Sequence, residues 1–195
     1  MTPVELDGSQ IPVGENKEQL ADSIGIFSWS VNGENHAGTV FHIGDGIVVS
    51  AAHVVDTENC RTGEILWGFR GESGLMQGKC EYIIDRKSGP GQDFTIFKVQ
   101  VPPPYKIDCV QREAQIDEQV VALGHPSSYP LMVSSGAVER IGGGIFTYSA
   151  STYPGHSGGP ILDKDGKAIG LISKVDEKTS FGLSFKYTPI SQYCQ

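Results

Sequence analysis

The sequence predicts an all-β protein of two six-stranded antiparallel β-barrels, followed by a short C-terminal helix. The chain has 25 glycines and 11 prolines in 195 residues, which is more turn-forming residues than helical bundles contain. Short apolar runs recur between these turns, as in antiparallel barrels. Three consecutive prolines, Pro102 to Pro104, separate two sets of about six runs. They cannot lie in a central strand, so they predict a linker.

This pattern predicts the domain organisation. A chain of 195 residues is long enough for one compact unit or two small lobes. Residues 1–20 are polar and lack periodicity, so we expect a loose arm. The first barrel should span 21–101, the linker 102–116, and the second barrel with the C-terminal helix 117–195.

The first half contains six runs with strand character. The residues Gly44-Asp45-Gly46 predict a hairpin turn between two of them. The predicted strands are Ile24–Trp29, Gly38–Ile43, Gly46–Ser50, Ile65–Phe69, Cys80–Ile84 and Phe94–Val99.

The second half contains six further runs with strand character. Residues 163–167 form a predicted turn, and Thr188 before Pro189 is a predicted cap of the terminal helix. The predicted strands are Gln119–Leu123, Met132–Val138, Gly144–Tyr148, Pro160–Leu162, Ala168–Ile172 and Phe181–Phe185.

Charge and composition exclude several function classes. The net charge is −8 and no basic run occurs, which disfavours nucleic acid as a partner. No apolar stretch approaches the roughly 20 residues of a membrane span, so no membrane partner is expected. The first ten residues lack the features of a secretory signal, and we expect a cytoplasmic protein. The cysteines form no C-x-x-C pair, so we expect neither metal nor cofactor.

The pattern with the most chemical content is Gly155-His156-Ser157-Gly158-Gly159-Pro160. A serine between glycines on a tight turn can expose its hydroxyl, while nearby N–H groups bind an oxyanion. A glycine-rich hairpin is the alternative reading. The pattern also fits the G-x-S-x-G of α/β-hydrolases, but those enzymes place their histidine after the serine. All five histidines here precede Ser157.

His53 is the favoured base among these five histidines. It follows the apolar run ending in Ser50-Ala51-Ala52, so its ring can face a cleft while the strand stays buried. His42 lies within an alternating strand, His125 precedes a proline, His36 is in a polar loop, and His156 adjoins the serine.

An acid should hold the far nitrogen of the imidazole. Asp93 stands at the head of the apolar run 94–99, at the edge of a predicted core. An aspartate in a turn that opens a strand is the plain alternative. Asp85 is a rival, but the neighbouring Arg86 and Lys87 suggest a solvated turn.

In the sequence patterns around His53, Asp93 and Ser157, the chain resembles the chymotrypsin-like serine peptidases, in the high-temperature-requirement (Deg) branch. Ser50-Ala51-Ala52-His53 resembles the family's T-A-A-H box, residues 93–99 its D-[IL]-A-[LV]-[LI]-K-V box, and residues 155–160 its G-[ND]-S-G-G-P box. The resemblance covers roughly residues 22–190. It implies a double barrel with the cleft between the lobes, and a serine endopeptidase acting through an acyl-enzyme on a peptide or protein substrate.

The resemblance also implies residue roles. Ser157 would be the nucleophile, His53 the general base and acid, and Asp93 the group that orients His53. The backbone N–H groups of Gly155 and Ser157 would form the oxyanion hole.

Departures from secreted relatives generate further expectations. Val54 and Tyr153 replace two of their half-cystines, so we expect all four cysteines to be free thiols. Those relatives have an aspartate before the serine, which pairs with an N-terminus newly formed by proteolysis. This chain has His156 there, so activation by proteolytic cleavage is not expected.

Position relative to the serine predicts a substrate-binding pocket. Ser151 and Thr152 should line its floor, Ile172 and Ser173 one wall, and Gly182 the other. Because none of these residues is charged, we expect an apolar side chain before the scissile bond rather than Lys, Arg or Glu.

Two alternatives remain open. One is a viral or polyprotein-processing peptidase of the same fold with a narrow cleavage site. The other is a catalytically silent protein that only binds peptides. The sequence does not specify the oligomeric state.

Overall fold

The first lobe is a curled, seven-stranded antiparallel sheet. The computed structural model describes residues 17–71, 74–175 and 179–194. Within them, the spatial order of the strands is β5-β4-β1-β2-β3-β7-β6. The strands are β1 (Ile24–Val31), β2 (Glu34–Gly44), β3 (Ile47–Ser50), β4 (Glu64–Trp67), β5 (Met76–Gly78), β6 (Cys80–Lys87) and β7 (Phe94–Val99).

The second lobe is a closed six-stranded barrel with the order β10-β13-β12-β11-β8-β9. All six neighbouring strand pairs of this barrel are antiparallel. Its strands are β8 (Gln119–Gly124), β9 (Met132–Gly142), β10 (Ile145–Tyr148), β11 (Pro160–Leu162), β12 (Ala168–Val175) and β13 (Ser180–Ser184).

The all-β prediction with two antiparallel lobes is confirmed. Among the described strands, the first lobe is a curled sheet and only the second is a closed barrel. The short strand β5, which the sequence analysis did not identify, pairs with β4 and gives this lobe seven strands rather than six. Its residues are Met76, Gln77 and Gly78, which are half-buried or exposed. Three residues of this kind show no apolar alternation that would predict a strand.

Short helical segments complete the chain. Lys17–Asp22 forms helix α1, so the last residues of the expected loose arm are ordered, because Leu20 and Ala21 pack into the core. The rest of that arm, residues 1–16, lies outside the described residues. Thr57–Thr62 forms helix α2, whose N-cap is Asp56. The terminal helix Pro189–Tyr193 is a 3₁₀ helix, and the Thr188 hydroxyl accepts from the Ile190 N–H as expected of a cap.

A large apolar core joins the two lobes. It includes Phe27 and Phe97 from the first lobe and Leu123 and Leu183 from the second, and the rings of Phe41 and Phe185 lie 6.2 Å apart across the boundary. The barrel of the second lobe has its own smaller core, which includes Phe146, Ile161 and Ile172. The shared core fixes the edges of the two sheets against each other, which is where the site lies.

The cysteine prediction is wrong: all four cysteines are disulfide-bonded. Cys60 on α2 is joined to Cys80 on β6, and Cys109 between the lobes is joined to Cys194 near the end of the chain. The prediction rested on the loss of two half-cystine positions, but pairing is decided by which residues the fold brings together.

Candidate active site

The candidate base, His53, lies on a tight turn directly after β3. This histidine turn (residues 51–55) is closed by hydrogen bonds from the Val54 and Val55 N–H groups to the Ala51 carbonyl, at 3.0 and 3.3 Å. Its other members are buried, whereas the His53 side chain is 53% exposed. Two small residues before His53 and two branched apolar residues after it are therefore buried, and the imidazole is left facing the cleft.

Arg86 on β6 holds this turn from below. Its Nε donates to the carbonyls of Ala52 and Val55, both at 3.1 Å, and its Nη2 donates to Ala52 at 2.7 Å. Thr95, which pairs with Arg86 across β6 and β7, donates its hydroxyl to the Val55 carbonyl at 2.7 Å. Arg86 was predicted to lie in a solvated turn, and this role was not predicted. Arg86 instead belongs to β6, and its guanidinium binds carbonyls that the histidine turn leaves unpaired.

Asp93 lies at the head of β7 and binds His53 twice. Its Oδ2 is 2.8 Å from His53 Nδ1, and its Oδ1 accepts from the His53 backbone N–H at 3.2 Å. A carboxylate at Nδ1 favours the tautomer with its proton there, so Nε2 carries the free lone pair. Ser173 donates its hydroxyl to the same Oδ2 at 3.2 Å. The rival carboxylate, Asp85, lies within β6 opposite Ile96 and has no such contact with His53.

Ser157 lies in a loop between β10 and β11, and we call residues 153–159 the serine loop. Ser157, His53 and Asp93 line one cleft of about 910 Å³. Within the described residues, the Ser157 hydroxyl makes no hydrogen bond, including to His53. The three predicted residues are thus brought to one cleft from three different loops, and a direct hydrogen bond joins two of them.

The backbone of the serine loop leaves two N–H groups available. The Pro154 carbonyl accepts from the Ser127 N–H, and the His156 carbonyl accepts from the Gly159 N–H, both at 3.0 Å. In a trans peptide the N–H points opposite to the carbonyl. These two bonds therefore aim the N–H groups of Gly155 and Ser157 away from Ser127 and Gly159, and neither N–H has an acceptor in the described part of the chain. Both residues line the cleft.

Position 155 requires glycine. Its φ is +99°, and a Cβ there would lie 2.6 Å from the Ser127 nitrogen and 2.8 Å from the His125 oxygen. Any side chain would displace the peptide plane that carries the Gly155 N–H.

The other four histidines are hydrogen-bonded, stacked on a ring or buried. His42 Nδ1 lies 2.7 Å from the Tyr105 carbonyl, and its Nε2 accepts from the Gly46 N–H. Exposed His36 stacks on Trp29. His125 and His156 are fully buried, and burial lowers the pKa of each to about 4.

The five residues predicted to form the specificity pocket lie in different surroundings. Of its five residues, Ser173 lines the cleft, and its hydroxyl binds Asp93. Thr152 is buried, with its hydroxyl 2.8 Å from that of Ser180, and Ile172 packs in the core of the second barrel. Ser151 is exposed but is not among the residues lining the cleft.

The alternation of side chains along β13 explains this difference. Gly182 faces the barrel interior, where a Cβ would lie 2.6 Å from Phe146 and 2.7 Å from Ile161. Its neighbour Phe181 points the other way and lines the cleft together with Ile145.

Across the described ranges, no group of three or more His, Cys, Asp or Glu side chains is arranged to hold a metal ion. No helix in those ranges is both long and apolar enough to cross a bilayer.

Known proteins share this fold. Residues 38–171 match the family described as trypsin-like peptidase domain. The solved structure of the protease Rv3671c from M. tuberculosis in its active form is similar, with 20% identity, 94% of this chain and 84% of that chain covered, and a TM-score of 0.69. The serine endoprotease from Yersinia pestis is 18% identical over 88% of this chain and 63% of its own, with a TM-score of 0.66.

The family match spans more than half of the chain, including the histidine turn and the serine loop. The two solved structures have the same fold at low identity. The chain belongs to the trypsin-like peptidase family and is a serine endopeptidase.

Proposed function

We propose that this protein hydrolyses peptide bonds through an acyl-enzyme, with Ser157 as nucleophile, His53 as general base and Asp93 as the orienting acid. The observation that carries the proposal is the 2.8 Å contact between Asp93 Oδ2 and His53 Nδ1, in the cleft that Ser157 also lines. That contact leaves His53 Nε2 as a proton acceptor on the side of the cleft.

In the first half of the reaction, Ser157 Oγ attacks the carbonyl carbon of the substrate and its proton moves to His53 Nε2. The carbonyl oxygen becomes an oxyanion, which the N–H groups of Gly155 and Ser157 stabilise. When the tetrahedral intermediate collapses, the C–N bond breaks and His53 returns the proton to the leaving amine. Asp93 stays ionised throughout and stabilises the imidazolium.

Water completes the cycle by the same chemistry. His53 Nε2 accepts a proton from the water as its oxygen attacks the acyl carbon, and the same proton then returns to Ser157 Oγ as the ester bond breaks. The acid product and free enzyme result, so no metal or cofactor takes part in any step.

We further propose that the residue before the scissile bond is apolar and of moderate size. Phe181 and Ile145 line the cleft beside Ser157, and the only carboxylate among its described lining residues, Asp93, is occupied by His53. Burial of an apolar side chain there gains about 25 cal/mol per Å², whereas a buried Lys or Arg would be unpaired.

A peptide library tests this function. We expect Val, Leu, Ile, Ala or Met before the scissile bond to exceed Lys, Arg and Glu by at least about 100-fold in kcat/KM, equivalent to about 2.7 kcal/mol. Cleavage should disappear in Ser157→Ala and persist in Ser191→Ala, a serine in the terminal 3₁₀ helix. Binding of peptides without cleavage by the wild type would instead indicate a catalytically silent protein, and a profile led by Arg, Lys or Glu would refute the proposed pocket.

The compartment is a separate proposal. The sequence predicted a cytoplasmic location, but both cysteine pairs are disulfide-bonded. Structural disulfides persist in oxidising surroundings, so we propose an oxidising compartment. Thiol titration of protein from its native source, denatured without reductant, should find no free thiol, whereas four would support the cytoplasm.

A further inference from the structure

Thr39 connects the first lobe to the serine loop of the second. It lies on β2 and its side chain is fully buried. Its hydroxyl donates to the Gly155 carbonyl at 2.7 Å and accepts from the His125 backbone N–H at 3.0 Å. Its backbone N–H donates to the Ser157 carbonyl at 2.9 Å. One residue of the first lobe thus contacts both residues whose N–H groups would form the oxyanion hole.

The Gly155 backbone needs such external partners. A glycine at φ +99° has no side chain that restricts the rotation of its peptide planes. The plane before it is held by the bond from the Ser127 N–H to the Pro154 carbonyl, and the plane after it by the bond from the Thr39 hydroxyl to the Gly155 carbonyl. The peptide planes on both sides of the Gly155 Cα are therefore fixed by hydrogen bonds.

The Thr39 hydroxyl also supports the turn whose Ser127 N–H binds the Pro154 carbonyl. His125 directly precedes the 3₁₀ turn Pro126–Ser128, and Ser127 in that turn has a φ of +51°, in the left-handed region that non-glycine residues disfavour. The Thr39 hydroxyl accepts from the His125 N–H at the start of the turn. It thereby ties the turn that holds the Pro154 carbonyl to the loop that carries Gly155 and Ser157.

We propose that the Thr39 hydroxyl is a positioning group that preorganises the oxyanion hole from the opposite lobe. It does not touch the substrate. It acts by keeping the Gly155 N–H aimed at the site where negative charge develops, so its contribution appears in the transition state and not in ground-state binding. The inference rests on the proposed function, because only an enzyme that forms an oxyanion uses this geometry.

The test compares Thr39→Val, which replaces the hydroxyl by a methyl group, with Thr39→Ser, which retains it. The matched control is Thr188→Val. The Thr188 hydroxyl is also buried, donates to the Phe185 carbonyl at 3.0 Å and accepts from the Ile190 N–H at 3.2 Å, away from the cleft. Both valine variants lose the same kind of buried hydrogen bonds, so both should lower Tm.

Four quantities separate a positioning role from a structural one. They are kcat and KM for a cleaved peptide, the Kd of a peptide aldehyde, whose adduct with Ser157 places an oxyanion in the hole, and the Kd of the uncleaved peptide measured with Ser157→Ala. Loss of one oxyanion donor lowers kcat by about 10²–10³. For Thr39→Val, which affects a donor indirectly, we expect a fall of about 10- to 100-fold in kcat and a matching loss of aldehyde affinity. KM and peptide Kd should change less than about threefold.

Thr39→Ser should recover kcat to within about threefold, and Thr188→Val should retain the wild-type kcat. If Thr39→Val does not fold, Thr39→Ala compared with Thr39→Ser isolates the hydroxyl in the same way. Equal kcat and aldehyde affinity in the variants with and without the hydroxyl would overturn the inference and leave the proposed function intact. So would an equal loss of kcat in Thr188→Val. A wild type that neither cleaves peptides nor binds the aldehyde would overturn both.

Discussion

The histidine turn of the first lobe and the serine loop of the second lobe differ in what fixes their backbone. In the histidine turn, the carbonyls of Ala52 and Val55 are bound by the side chains of Arg86 and Thr95. In the serine loop, most carbonyls are bound by backbone N–H groups, and glycines allow the chain to pass close to its neighbours. The base is therefore positioned by side chains that a substitution can remove, and the nucleophile by backbone that a substitution can only displace.

The largest effect is expected where the two segments act together. Ser157→Ala or His53→Ala should each lower kcat by on the order of 10⁴-fold or more, since each removes a group that takes part in every proton transfer. The double variant should be little slower than either single variant, because the residues act as a unit. Steady-state kinetics on one peptide measures this. If the two losses multiplied, the residues would act independently and the proposed mechanism would be wrong.

The serine loop should be broken by adding a single carbon. A Cβ at Gly159 would lie 2.0 Å from the Leu123 carbonyl oxygen, so Gly159→Ala must displace backbone. We expect a loss of at least about 3 kcal/mol in the free energy of unfolding, together with loss of activity.

Gly142→Ala is the matched control for this change. A Cβ at Gly142 has no neighbour within 4 Å, and the change should stay within about 0.5 kcal/mol. Urea unfolding of both variants gives the two values. A Gly159→Ala variant as stable as Gly142→Ala would show that the loop is not held by this close contact.

The histidine turn should be sensitive to one side chain below it. Arg86→Gln removes most of the donors to the Ala52 and Val55 carbonyls, so His53 loses its fixed position relative to Ser157. We expect kcat/KM to fall by about 10- to 100-fold, since small misplacements of a catalytic group are costly.

The neighbouring Lys87→Gln serves as the control, because Lys87 is exposed at the end of β6. Unchanged kcat/KM in Arg86→Gln would mean that the turn holds its shape without the guanidinium. The contrast between the two segments would then fail.

The smallest expected effect concerns pH and the buried histidines beside the serine loop. Burial lowers the pKa of His156 to about 4, below its ordinary value of 6.5. The unfolded chain therefore takes up a proton as pH falls below about 6.5, while the folded chain does not until about pH 4. The free energy of unfolding falls over this window, by about 2–3 kcal/mol for this residue.

His156→Asn removes the titrating group and offers an oxygen to the Tyr153 N–H, which His156 Nδ1 now binds at 2.8 Å. We expect a shallower loss of stability between pH 6.5 and 4 than in the wild type, measured by urea unfolding at both ends. His125, whose pKa burial also lowers to about 4, should account for part of the remaining loss. The same loss in the variant and the wild type would mean that His156 does not titrate as assigned.

The sequence was sufficient for features that are local. Apolar runs between turns predicted twelve of the strands, and the boxes around His53, Asp93 and Ser157 predicted residues that the fold brings to one cleft. A period-two pattern marks a strand, and glycines around a serine mark a tight turn, whatever lies elsewhere in the chain.

Features that depend on distant contacts could not be predicted in this way. Nothing near Cys109 indicates that Cys194 lies beside it, and nothing near Arg86 indicates that the histidine turn lies above it. Alternate residues of β13 face opposite sides of the sheet, so the sequence alone did not indicate that Phe181 lines the cleft. Thr39 resembles any other residue of a strand until the serine loop is seen against it.

The most direct test of the account is to map the residue that an activated-serine reagent modifies. A fluorophosphonate bonds phosphorus to the oxygen of a serine and releases fluoride when a neighbouring base removes the serine proton. The account predicts one adduct per chain, on the peptide that contains Ser157, formed at a rate that His53→Ala lowers by orders of magnitude. An adduct on any other residue, or no adduct on the folded wild-type protein, would contradict it.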